Sequence, residues 1–215
     1  MLSALSRYTR WLHTRWPAGT VEKLPIVDDE GRTNVTGLFV VGDLTGIPLL
    51  KFAADTGVAV VQRCHAELAG EGPDEADVLD LAIIGGGVSG CAAAIEAQSR
   101  GLNFELFEAS QTFSTLKNFP TAKPIFTYPT EMVPRGDLQF NHEVKEPLVE
   151  DLDAQLSAAG IQPTIARVDR IKRRGGVLDV HLGADDGQET RVVRARRVII
   201  AIGRSGEFRK LGVPG

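Results

Sequence analysis

Apolar and polar positions alternate in distinct rhythms along this chain, and each rhythm predicts an element. Residues 37–42 are a short apolar run closed by Gly42-Asp43, the pattern of a buried strand. Residues 48–69, PLLKFAADTGVAVVQRCHAELA, space their apolar side chains three and four apart, as a helix requires, and Pro48 suits its first turn. Gly57 inside that helix costs about 1 kcal/mol relative to alanine, so it marks a close approach of backbone or ligand. Residues 78–84 form a mostly apolar strand running into glycines. A helix follows from about Val88 to Arg100-Gly101, then a second strand over 103–108. This strand–helix–strand order predicts a parallel pair joined by a crossover.

Beyond it the rhythm weakens. Residues 109–147 are rich in Pro and Thr and read as a long functional loop. Residues 148–159 read as a helix. Strands are predicted around Ile165–Lys172 and Val177–Leu182, turning at Arg174-Gly175-Gly176, and 190–202 supply one or two more. Residues 17–36 read as loop, and 70–77, GEGPDEAD, as a linker with nothing to bury. Near the start, Tyr8, Leu12 and Trp16 share one face of a short helix suited to docking, with an interfacial membrane helix as the alternative. That stretch lacks the continuous apolar core of a signal peptide, and no run of 18 apolar residues is present.

Composition adds exclusions. With a net charge of −4, nothing argues for nucleic acid. Two cysteines, Cys64 and Cys91, make no disulfide framework and no CxxC, which fits a reducing, cytoplasmic setting. The four histidines show no metal spacing; His142, in the long loop, reads as solvated or as facing a substrate. The basic turn Arg170, Lys172, Arg173, Arg174 reads as a solvated hairpin end, with a phosphate contact as the alternative.

Gly85-Gly86-Gly87-Val88-Ser89-Gly90 fits G-x-G-x-x-G, with a strand before it, a helix after it and an acid, Glu108, closing the second strand. Gly85 allows the tight turn, Gly87 admits a pyrophosphate to the backbone, and Gly90 lets helix and strand pack closely. The helix start offers unpaired N–H groups and a positive dipole end. Glu108 can accept both ribose hydroxyls of an adenosine. The fingerprint alone leaves FAD and NAD(P) both open.

Two further stretches narrow the choice: RARRVIIAIGRSGEFRKLGVPG, whose strand ends in Ala201-Ile202-Gly203, and TNVTGLFVVGDLTGIPLLKFAADTG. Together with the fingerprint they resemble the FAD domain of the thioredoxin-reductase-like pyridine nucleotide-disulfide oxidoreductases. The loop SQTFSTLKNFPTAKPIFTYPTEM resembles that of the bacillithiol-disulfide-reductase-like branch. The resemblance implies an α/β, Rossmann-like FAD-binding domain with a central parallel sheet and a small β-meander. It implies FAD as cofactor, with Asp43 on the ribityl chain, Gly42 permitting close approach, and the helix start Leu50-Lys51-Phe52 facing the flavin ring. Gly85, Gly87, Val88, Ser89 and Gly90 would line the pyrophosphate, and Glu108 and Ala109 the adenosine ribose. Val168 would meet adenine through its backbone. Thr115, Asn118 and Phe119 would run along the cofactor, and Ala201 and Gly203 would pass close to it.

The chain also departs from that family. The Gly-Asp strand precedes the fingerprint, so residues 33–215 read as one circularly permuted domain: 33–69, the linker 70–77, and 78–215, after a lead-in over 1–32. Val40 and Val41 are expected beside Ile83 and Ile84. One fingerprint stands where the family has two, so the chain reads as truncated before its NAD(P)H domain, or as served by a partner chain; a homodimer is a further expectation. No CxxC is present to take electrons. Ser89 stands where some relatives carry cysteine, and Cys91 reads as helix packing or as a thiol activated at a helix start. The function expected is an oxidoreductase passing electrons from NAD(P)H through FAD to an acceptor that the sequence does not name. The alternatives are a non-catalytic flavin relay or regulatory module, and a single NAD(P) site.

Overall fold

Alternation along the strands divides the core into two faces of one sheet. The computed structural model describes residues 25–45, 48–70, 77–183 and 189–204. Its strands are β1 (Leu38–Val40), β2 (Val78–Ile84), β3 (Phe104–Glu108), β4 (Thr164–Ile165), β5 (Arg167–Arg174), β6 (Val177–Gly183) and β7 (Glu189–Ile200). Its helices are α1 (Leu50–Leu68), α2 (Val88–Ser99), α3 (Ser114–Lys117) and α4 (Lys145–Ala158), with a 3-10 turn over Gly42–Thr45. The seven strands run β4-β3-β2-β7-β6-β5, with β1 also paired to β7. β4, β3, β2, β7 and β1 are mutually parallel, whereas β5, β6 and β7 form the antiparallel meander.

On one face Leu81, Ile83, Leu106 and Ile199 pack under the helices; on the other Ala82, Ile84, Phe107 and Val198 meet Leu178, Val180 and Leu182 of β6. Helix α2 is buried from Val88 to Ala97, and its Cys91-Ala92-Ala93-Ala94 run is small because α1 lies against it. Gly57 of α1 is the point of closest approach: a Cβ there would fall 2.2 Å from the Ser89 carbonyl oxygen. The sequence reading of that glycine therefore holds, with backbone as the neighbour. Helix α4 buries Leu148, Leu152 and Leu156, one stripe at four-residue spacing.

The predicted fold class is borne out, and several local expectations are corrected. β1 lies beside β7, pairing Val40 with Ile200, so β7 separates it from Ile83 and Ile84. The strand expected at Ile165–Lys172 is two: β4 continues the parallel edge beside β3, and β5 opens the meander. Helix α4 begins at Lys145, three residues early, because Pro147 falls in the first turn, where no N–H is needed. The long loop holds one short helix, α3. Residues 28–32 fold back on β1, with Arg32 bridging Phe39, and Arg32 and Arg197 both reach Glu67 at 2.7 and 3.3 Å. The predicted N-terminal helix, nearly all of the acidic linker and the LGVPG segment lie outside the described residues.

Candidate dinucleotide site

Five parallel strands end in one row, and backbone hydrogen bonds join each end to the next. The Ala166 N–H donates to the Glu108 carbonyl at 2.8 Å, Gly85 to Phe107 at 2.7 Å, Ala201 to Ile84 at 2.7 Å, and Val41 to Ile200 at 3.0 Å. Gly42-Asp43, the glycine fingerprint, Glu108-Ala109 and Ala201–Gly203 therefore line the carboxyl edge of a single sheet. In open α/β sheets that edge is where ligands bind.

The fingerprint is held from three sides. Glu108, buried at 8% exposure, accepts the Gly86 N–H at 2.6 Å on Oε2 and the Ser110 N–H at 2.9 Å on Oε1. The Phe113 N–H donates to the Gly86 carbonyl at 2.8 Å, and the Cys91 thiol to the same oxygen at 3.3 Å. Gly85 has φ +104°, and a Cβ would strike the Ala201 carbonyl oxygen at 2.6 Å; at Gly90 it would lie 1.8 Å from the Gly85 carbonyl oxygen. Both are glycine for reasons internal to the protein.

Gly87 is different. Its φ of −76° suits any residue, and a Cβ would meet nothing nearer than the Ala201 carbonyl oxygen at 3.9 Å. Neither conformation nor packing asks for glycine there. Bare backbone at this point leaves room at the start of α2, where the first-turn N–H groups lack intrahelical partners. The residues present thus fit a pyrophosphate group.

Gly42 has φ +73°, and a Cβ on it would fall 2.5 Å from Ser89 Oγ, so the Gly-Asp turn sits directly on the fingerprint. Its N–H donates to Thr56 Oγ1 at 3.0 Å, which in turn donates to the Ala53 carbonyl at 2.9 Å. Burial pushes the half-buried Asp43 carboxyl above its ordinary 3.8, opposed by the charge of Arg204. Leu50 and Phe52 are half-buried at the start of α1. The Lys51 side chain is buried and donates to the carbonyls of Pro129 and Thr130 at 2.9 and 3.1 Å.

Of the loop residues, Thr115 on α3 and Asn118 just after it are exposed, while Phe119 is half-buried under the Lys123 ammonium, 3.5 Å from its ring centre. Val168 on β5 faces Leu182 across the meander, two residues past the Ala166 contact to Glu108. Gly203 has φ +66° and open space around it. His142 is exposed on a separate groove. Both cysteines are buried: burial pushes the Cys64 thiol up to about 12 and the Cys91 thiol up as well, Glu108 adding to it. Burial outweighs the helix start, so Cys91 is packing and not an activated nucleophile.

Sequence reasoning passed over Phe113, Ser110 and Thr56, which fix the fingerprint and the Gly-Asp turn. Only Thr56, a polar residue beside Gly57 within an apolar helix, left any trace in the pattern. Among the described residues, no cluster of His, Cys, Asp or Glu could hold a metal, and no helix is long and apolar enough to cross a membrane.

The NAD(P)-binding Rossmann-like domain family matches residues 83–131, from the end of β2 through the fingerprint and into the long loop. This chain has a mixed α/β, Rossmann-like fold with a parallel-rich central sheet. Among solved structures it is similar to the bacillithiol disulfide reductase of Bacillus cereus, at 25% identity and TM-score 0.52 over 63% of this chain and 43% of that one. The bacillithiol disulfide reductase of Staphylococcus aureus gives 22% identity and TM-score 0.51 over 63% and 41%. OTEMO, solved in complex with FAD and NADP, gives 18% identity and TM-score 0.50 over 66% and 28%. The matched region thus spans less than half the length of each of these structures. No curated protein matches the chain.

Proposed function

We propose that this chain is the FAD-binding portion of an NAD(P)H-dependent flavoprotein oxidoreductase. The observation that carries the reading is the shared row: Gly42-Asp43 stands on the same sheet edge as the fingerprint and in contact with Ser89. An NAD(P) site built on the fingerprint alone has no use for that second turn. The similarity to bacillithiol disulfide reductases supports the same choice.

In this reading Gly85, Gly87, Val88, Ser89 and Gly90 hold the pyrophosphate against the start of α2. Glu108, with Ala109 beside it, takes the adenosine ribose, and the Val168 backbone meets adenine. Asp43 hydrogen-bonds the ribityl chain above Gly42. The first-turn N–H groups of Leu50, Lys51 and Phe52 face the flavin ring and favour negative charge there. Thr115, Asn118 and Phe119 flank the cofactor, and Ala201 and Gly203 leave it room. When bound, FAD supplies two-electron redox chemistry, and the protein's part is positioning and electrostatics. NAD(P)H binds on a further domain or on a partner chain, and the chain itself pairs as a homodimer. The order of elements is that of a permuted FAD domain, and the buried free thiols suit a reducing, cytoplasmic setting.

The test is the absorption spectrum of the purified protein. Near-ultraviolet and blue flavin bands are expected; a colourless protein that binds NADH tightly would overturn the choice of FAD. Flavin that bleaches with NAD(P)H when the partner domain is supplied supports the enzyme. Flavin that no NAD(P)H-binding partner can reduce favours a relay or regulatory module.

A further inference from the structure

Away from the glycine row lies a groove of 340 Å³ whose wall includes Lys51, Phe126, Tyr128, Phe140 and His142, with the exposed Glu143 at its edge. Two independent features face it. The first is aromatic. Phe126 and Tyr128 are stacked with ring centres 5.9 Å apart and planes inclined by 23°, yet they stay 64% and 55% exposed. A stacked pair left in water presents apolar ring face that a planar ligand would cover.

The second is electrostatic. Lys51 is only 7% exposed, and its ammonium donates to the Pro129 and Thr130 carbonyls, which are neutral. It forms no ion pair among the described residues. A buried cation without a counter-charge carries a desolvation penalty that an adjacent anion relieves. Lys51 also sits in the first turn of the 19-residue helix α1, whose dipole adds positive potential at that end.

We propose that this groove binds a planar aromatic or heteroaromatic anion. The ring lies on the Phe126–Tyr128 pair, and the anionic group neutralises Lys51. The groove shares Lys51 with the helix start that faces the flavin ring in the proposed function. On that reading the ligand is the oxidoreductase's substrate, while the binding claim itself does not depend on the flavin. Glu143 opposes an anion from the exposed side, where water screens its charge.

The experiment titrates the purified protein at fixed neutral pH with 2-naphthoate and, separately, with its uncharged amide. Calorimetry gives the affinities, resonance shifts locate the site, and flavin absorbance is followed throughout. Naphthoate is expected to bind about tenfold tighter than the amide, the worth of one charge-assisted hydrogen bond, and to shift Phe126 and Tyr128. Phe126→Ala should weaken both ligands several-fold, Lys51→Met should abolish the preference for the anion, and Glu143→Gln should tighten naphthoate slightly. Equal affinities in the native protein, shifts confined to other residues, or release of flavin as naphthoate binds would each overturn the proposal. A chain that carries no flavin but still prefers the anion refutes the FAD reading alone.

Discussion

Replacing Gly57 by alanine sets two effects against each other, and the structure decides which wins. Alanine gains about 1 kcal/mol of helix propensity over glycine in a helix interior. The new Cβ, however, would stand 2.2 Å from the Ser89 carbonyl oxygen and 3.1 Å from its carbon. Ordinary contact needs well over 3 Å, so α1 and α2 must part by about 1 Å. The obstacle is helical backbone, which cannot swing aside as a flexible side chain would. Overpacking costs about 1–3 kcal/mol, and a clash this deep against helical backbone belongs in the upper half of that range, so the net effect is a destabilisation of about 1–2 kcal/mol. Ser89 belongs to the fingerprint, so the same shift displaces the start of α2 and should weaken flavin binding. Urea denaturation of the flavin-free protein, followed by circular dichroism, reads the first effect, and flavin titration the second. Gly176→Ala, in open space without positive φ, is the control and should be close to neutral. A Gly57→Ala protein as stable as the parent would refute the reasoning, because propensity would then have outweighed the contact.

Glu108→Gln should lower stability by about 1–2 kcal/mol, because a charged acceptor for the buried Gly86 N–H becomes a neutral one; flavin retention should fall with it, and unchanged retention would remove Glu108 from the site. Asp43 carries a folded-state pKa raised by burial, so its charged form is the disfavoured one. It supports the flavin-free fold fully below its ordinary 3.8, and that support is lost as pH rises through the raised value. Asp43→Asn should therefore stabilise the flavin-free protein at neutral pH, with the difference fading in acid, while Asp43→Ala loses flavin; a melting-temperature series across pH checks the first and absorbance the second. Cys64 and Cys91 should resist an aromatic disulfide reagent at pH 8 until the protein is unfolded; rapid labelling of Cys91 in the native state would reopen its redox role.

Local period carried much of the fold. Residues 78–84 are apolar, end in glycine and form β2 over that same span, because both faces of a parallel strand are covered. The candidate site was legible for the same reason: a fingerprint couples turn geometry to phosphate chemistry within six residues. The failures lie where a residue's partner is distant. Ala166 carries the chain from the β3 edge to the meander, and nothing in its own neighbours marks that transfer. Lys51 reads as the start of a helix, yet its side chain is committed to carbonyls 78 and 79 residues away.

The seat of β1 shows most clearly what period omits. An apolar triplet can pair with any open parallel edge, and two were conceivable: β2 or a strand beside it. The length of β7 decides. Its twelve residues outrun β6, whose pairing ends at Ala195 opposite Leu178. That leaves Val198–Ile200 with an unpaired side, while β2 is already flanked by β3 and β7. Unpaired backbone in a buried sheet is costly, so Leu38–Val40 fills the gap that β6 leaves. The same placement brings Gly42 to the end of β7, against Ser89 and one step from Ala201. The turn that looked displaced in the sequence thus reaches the fingerprint through β7.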